Sequence, residues 1–131
     1  MKVKNIIEMK DNQVQEINEK EFDIHVLNAK QPVIVGFLAG WSQASGRFEP
    51  VLEEVARACN GSAKVFKVDV DDNPDLGTLY AVQSVPTLIV FANGAVHVKI
   101  IGTVSAWAIL AKLQSLLQEG QTSTERDSNK A

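Results

Sequence analysis

The chain has 131 residues, a formal net charge of −3, 45% apolar and 22% charged residues, which is enough for one hydrophobic core and an ordinary globular composition. The acidic balance, with no cluster of Lys and Arg, excludes a nucleic-acid footprint. No run approaches the ~18 consecutive apolar residues of a membrane span, and the single cysteine, Cys59, excludes a disulfide within these residues.

Met1–Asn12 is interrupted by Lys2, Lys4, Glu8, Lys10 and Asp11, so it reads as an extension (1–12) and not as a secretory leader. The expected location is the cytoplasm. Asn12 to Ile17 suits a short strand, after which Asn18 caps a helix through Leu27 with Phe22, Val26 and Leu27 as its buried stripe. Pro32 precedes a nearly unbroken apolar run, Val33 to Ala39, the pattern of a strand covered on both faces. The helix after Ser42 is apolar at Phe48, Val51, Leu52, Val55 and Ala56, with Cys59 in phase. Pro50 inside it removes a backbone donor. Val65 to Val70 returns as a parallel strand, and Asp71-Asp72-Asn73-Pro74 opens a short helix reaching Tyr80. Thr87 to Phe91 and Ala95 to Ile101 flank Ala92-Asn93-Gly94, and Asn-Gly between apolar runs is a strong hairpin signal. Ser105 caps the last helix, expected to end near Gln118, with Ile109, Leu113, Leu116 and Leu117 facing the core. Trp107, Leu110 and Ala111 widen its apolar surface beyond one stripe, which raises a second contact face beside the ordinary reading of a deeply seated helix. Residues 119–131 hold no large apolar side chain and are expected to be a disordered tail. The layout is α/β: a central mixed sheet with helices on both faces, in one domain over 13–118.

Five of these segments, in this order and spacing, resemble the thioredoxin family. They are Val33-Ile-Val-Gly-Phe-Leu-Ala-Gly-Trp41, Phe48-Glu-Pro-Val-Leu-Glu-Glu-Val-Ala56, Lys67-Val-Asp-Val-Asp-Asp-Asn-Pro74, Tyr80-Ala-Val-Gln-Ser-Val-Pro-Thr87, and Phe91-Ala-Asn-Gly94 with Gly102. The resemblance implies a thioredoxin fold, with Pro86 as the family's cis-proline and the turn at Trp41-Ser42-Gln43-Ala44-Ser45 in place of Trp-Cys-x-x-Cys. A hydroxyl does not ionise near neutral pH and forms no disulfide, so Ser42 and Ser45 cannot carry dithiol exchange. Serine nucleophile chemistry would need an adjacent base, and His25 and His97 belong to elements away from this turn. The ordinary role of Ser42 is helix N-cap, with no catalytic residue at either position.

Other family features are missing too. Gly36 stands where the family buries an aspartate, Leu38 where it has a tryptophan, Gln43-Ala44 in place of Gly-Pro, and Gly46 in place of a basic residue. Lys67 loses its usual acidic partner by this reading and should snorkel or find another acid. The resemblance implies a peptide groove lined by Trp41, Ser84, Val85, Pro86, Gly102 and Thr103, where the backbone of Val85 could pair with an extended segment. Two readings stay open. The first is a redox-inactive, chaperone-like or adaptor module that binds protein or unfolded polypeptide, is monomeric and uses no cofactor. The second is a thiol–disulfide oxidoreductase whose cysteines were replaced by serine. A third, weaker possibility is a monothiol protein acting through Cys59, otherwise a small core residue. The acids Asp69, Asp71, Asp72 and Asp75 form no ligand loop, and no metal is expected.

Overall fold

The computed structural model describes residues 12–130, and side chains over 12–118. The extension expected over 1–12 therefore lies, apart from Asn12, outside the described residues. The first strand, β1, is only Gln15–Glu16. Helix α1 is Glu19–Phe22, entered through a capping box in which Asn18 accepts from the Glu21 N–H while the Glu21 carboxylate accepts from the Asn18 N–H. The chain then widens into a π-helical turn, Asp23–Leu27. Phe22 and Val26 are buried as expected, whereas Leu27 is half-buried, because the wider turn breaks the 3.6-residue phase.

Strand β2 is Val33–Leu38, with all six residues buried. Helix α2, Gln43–Cys59, follows and ends on Asn60 in the left-handed conformation, whose N–H reaches the Ala56 carbonyl. Strand β3, Lys64–Asp69, runs parallel to both β1 and β2. A short helix α3, Pro74–Leu79, leads to β4, Thr87–Ala92, and β5, Ala95–Ile101. β4 is antiparallel to both β2 and β5, so the sheet order is β1-β3-β2-β4-β5. The β4–β5 turn carries Asn93 at φ 53° and Gly94 at φ 79°, the pair of positive values a tight hairpin needs.

The period of two along the strands sorts the core into two layers. Ile34, Leu38, Val65, Leu88 and Val90 pack beneath Phe48, Leu52 and Val55 of α2 and Ala106, Ile109 and Leu113 of the last helix. Val33, Val35, Phe37, Phe66, Val68, Ile89 and Phe91 face the other way, onto Phe22, Val26 and Leu76. There Tyr80 and Phe91 meet edge to face with centroids 5.2 Å apart.

The last helix, α4, runs Ala106–Lys130, past the end expected near Gln118. The stretch after Gln118 has no proline and several helix formers, and its lack of apolar residues concealed that. Leu116 is half-buried and Leu117 is 39% exposed, so the core-facing stripe is narrower than expected. The surface expected to be widened by Trp107 and Ala111 is open, with Trp107 77% exposed.

Candidate functional site

Three adjacent strands end together at one edge of the molecule. Phe37 of β2 pairs with Thr87 of β4, which pairs with Ile101 of β5. That line of register brings Ala39–Trp41, Val85–Pro86 and Gly102–Thr103 to the same end of the sheet. The family resemblance named Trp41, Val85, Pro86, Gly102 and Thr103, but only the antiparallel placement of β4 between β2 and β5 brings them to one end of the sheet.

The turn after β2 is held by its serines. Ser42 is the N-cap of α2: its Oγ accepts from the Ser45 N–H at 3.0 Å, and its own N–H donates to the Ala39 carbonyl at 3.1 Å. Ser45 is 2% exposed, and its Oγ accepts from the Ala39 N–H at 3.2 Å. One hydroxyl thus starts the helix and the other secures the last residue before the turn. Neither histidine is near: His25 packs on Phe66 with centroids 5.8 Å apart, and His97 lies exposed on β5.

Behind the turn, Gly36 and Lys67 are register partners on β2 and β3, on the face that carries α2. A Cβ built on Gly36 would lie 2.7 Å from Leu52 Cδ1, so leucine occupies the space a side chain at Gly36 would need. Lys67 reaches outward instead, its Nζ donating to Glu49 Oε1 at 3.2 Å. The pair is partly exposed and worth at most about 1 kcal/mol. The expected loss of an acidic partner is thus answered by a glutamate in the second turn of α2. A recess of about 70 Å³ remains here, lined by Leu38, Ala39, Gly40, Glu49, Lys67 and Asp69 among others.

Trp41 stands 74% exposed above the turn. At the same end of the sheet the Val85–Pro86 bond is cis. Pro86 is buried and Val85 half-buried, while Ser84 and Thr103 are exposed and Gly102 intermediate. The Gly102 N–H donates to the Pro86 carbonyl at 2.8 Å, with Gly102 at φ 94°, and Thr87 Oγ1 donates to the Ser84 carbonyl at 2.7 Å. Among the described residues, neither the N–H nor the carbonyl of Val85 has a hydrogen-bond partner. Ile101, which sequence reading did not select, is 67% exposed at this end. Its signal was the alternation of β5: Val98 and Ile100 turn inward, which sends Ile101 outward. None of the residues named at this surface is charged.

The remaining sequence candidates have structural partners. Asp69 Oδ1 accepts from the N–H groups of Asp71 and Asp72, so the acidic run is a hydrogen-bonded turn. Among the described residues, no group of three or more His, Cys, Asp or Glu is placed to hold a metal, and no helix is long and apolar enough to cross a membrane. Cys59 is buried at the far end of α2, and burial pushes its thiol pKa up, partly offset by a hydrogen bond with Ser62.

Comparison with known proteins agrees with this geometry. The family model described as Thioredoxin matches residues 13–115. A thioredoxin of Griffithsia pacifica is 31% identical over 105 residues, 80% of this chain and 96% of that protein. The chloroplastic thioredoxin M-type of Pisum sativum is 30% identical over 106 residues, 81% of this chain but only 62% of its own length. Among solved structures, a mutant thioredoxin from Halobacterium salinarum NRC-1 superposes with a TM-score of 0.73 at 29% identity, over 80% of this chain and 91% of that one.

Proposed function

The chain belongs to the thioredoxin family, and from that premise we propose that it binds extended polypeptide at the Trp41–Val85 surface and performs no disulfide exchange. The observation that carries this reading is the Val85 backbone, left without a partner among the described residues at the same end of the sheet as the exposed Trp41. An extended segment laid along it would gain main-chain hydrogen bonds from Val85 and apolar contact from Trp41, with Ser84, Pro86, Gly102 and Thr103 shaping the walls. The serines support the negative half. Both hydroxyls are committed to backbone N–H groups, and the one sulfhydryl lies at the opposite end of α2. By this reading Ser42 and Ser45 occupy the family's dithiol positions and the module acts as an adaptor or chaperone-like protein.

The test is an NMR titration with a cysteine-free, uncharged extended decapeptide rich in Val and Ile. The Val85 amide and Trp41 indole signals should shift together, and Trp41→Ala should weaken binding by about tenfold or more. Shifts confined to other surfaces, or none at millimolar peptide, would refute the reading.

The family relationship itself favours a second reading, disulfide exchange by a form bearing cysteines at 42 and 45. Ser42→Cys/Ser45→Cys should then reduce insulin disulfides, slowly, because Gly36 offers no carboxylate to move the proton. A double variant with no activity removes this reading.

A further inference from the structure

The stretch that presents Val85 is thinly held. Residues 80–86 join α3 to β4, and within them Ala81, Gln83 and Ser84 are exposed. An open recess of about 500 Å³ lies against this loop, lined by Val70, Gly77, Thr78, Ala81 and Val82 among others, so little packing supports it from that side. The loop is also strained. Ala81 has φ 54°, a left-handed value that a residue with a Cβ disfavours. Lys99 is placed to hold it there: its Nζ donates to the Tyr80 carbonyl at 3.0 Å and to the Ala81 carbonyl at 2.8 Å. We infer that Lys99 is a positioning residue, a latch on β5 that keeps the α3–β4 loop in its strained seat. By doing so it sets the Val85 backbone for an extended polypeptide, and in this respect the inference rests on the binding reading proposed above.

The anchors on either side of the latch show why it is needed. Lys99 pairs with Ile89 within the β4–β5 ladder, so the sheet fixes its backbone while its side chain reaches the loop. Before the strained residue, the ring of Tyr80 packs against Phe22, Phe37 and Phe91. After it, the Ser84 carbonyl accepts from Thr87 Oγ1. The interval between these anchors is closed by backbone bonds from the Ala81 N–H to the Thr78 carbonyl at 3.1 Å and from the Val82 N–H to the Gly77 carbonyl at 2.8 Å. Both of those bonds return to α3 and tie the loop to no strand. Lys99 supplies that tie, with a cation on the last carbonyls of a helix and charge-assisted bonds that are stronger than neutral ones.

The Ala81 and Val82 amides report on the seat directly. Their hydrogen exchange is measured by NMR on the full chain, on Lys99→Met, on Lys99→Arg and on Lys99→Met/Ala81→Gly. The Asn60 N–H, bonded to Ala56 at the far end of α2, is the control, and the affinity for the Val- and Ile-rich decapeptide is measured alongside. If Lys99→Met lowers the seated fraction from about nine-tenths to about one-fifth, exchange speeds up about eightfold and peptide binding weakens about four- to fivefold. Lys99→Arg should stay near the wild-type rates, because a guanidinium also donates to two carbonyls. Ala81→Gly should slow exchange again in the Lys99→Met background, because glycine takes a positive φ without strain. Unchanged exchange at Ala81 and Val82 in Lys99→Met, or an acceleration shared by Asn60, would overturn the inference. Faster exchange with undiminished peptide affinity would overturn it too, by showing that the loop does not set Val85. If the wild type binds no peptide, the polypeptide-binding reading fails on its own account, and the exchange rates alone decide whether Lys99 is the latch.

Discussion

At the scale of single residues, two positions show how the turn after β2 is stabilised without sulfur. Ser45 Oγ satisfies a buried backbone N–H, that of Ala39, so Ser45→Ala leaves that donor orphaned at a cost of about 1–3 kcal/mol. Ser42→Ala removes a cap whose N–H partner is nearer solvent and should cost about 1 kcal/mol. Urea unfolding of both variants checks the order, and a larger loss at Ser42 would reverse the assignment of roles. Gly36 is the complementary case. Its absent side chain is the space that Leu52 fills, so Gly36→Ala forces Leu52 off its position and should destabilise by about 1–3 kcal/mol. Combined with Leu52→Ala, the same change should cost less than the sum of the two, because the clash is gone. Strict additivity in that cycle would refute the contact. The sequence displayed the glycine, but not the leucine that makes it necessary.

Individual elements show where pattern was sufficient and where it was not. The hairpin was legible from Asn93-Gly94 alone, because few residues tolerate the two positive φ values it needs. Gly94 is further constrained by tertiary packing, since a Cβ there would sit 3.0 Å from the Leu27 carbonyl oxygen. Gly94→Ala should therefore cost about 1–2 kcal/mol from backbone strain, with the close approach to Leu27 adding to it. Thermal unfolding against Asn93→Gly, which should be nearly neutral at φ 53°, separates the two effects, and a neutral Gly94→Ala would contradict them. The first helix was legible from its Asn18 cap but not in its change to a π-helical turn, where Phe22 and Val26 join the buried layer of Phe66 and Phe91. The edge strand β5 carried a weak signal. Five of its seven residues are exposed, so alternation identified the strand without showing that Ile101 would join the Trp41 surface.

For the molecule as a whole, the two-layer core determines the response to alkali. Burial raises the pKa of Cys59 in one layer and, together with the charge of Asp23, that of Tyr80 in the other. A raised pKa means that the native state holds its proton at pH values where the unfolded chain has released it. This contribution is complete below the ordinary thiol and phenol ranges and is lost as pH rises through the higher native values. The unfolding midpoint should therefore fall above the ordinary thiol range and fall further in the tyrosine range. Cys59→Ala should remove the earlier part of the decline, and an unchanged alkaline profile in that variant would disprove the assignment. The sequence by itself determined the class of fold, the order of strands and helices, the hairpin and the lack of an internal dithiol, because local periodicity, turn residues and the count of cysteines act through neighbours along the chain. The tertiary structure alone decided that Leu52 fills the space at Gly36, that Lys67 pairs with Glu49, that Ile101 lies exposed at the same end of the sheet as Trp41 and Val85, and that Leu117 opens onto a groove. Each of these depends on register and packing between segments distant in sequence, which no local pattern encodes.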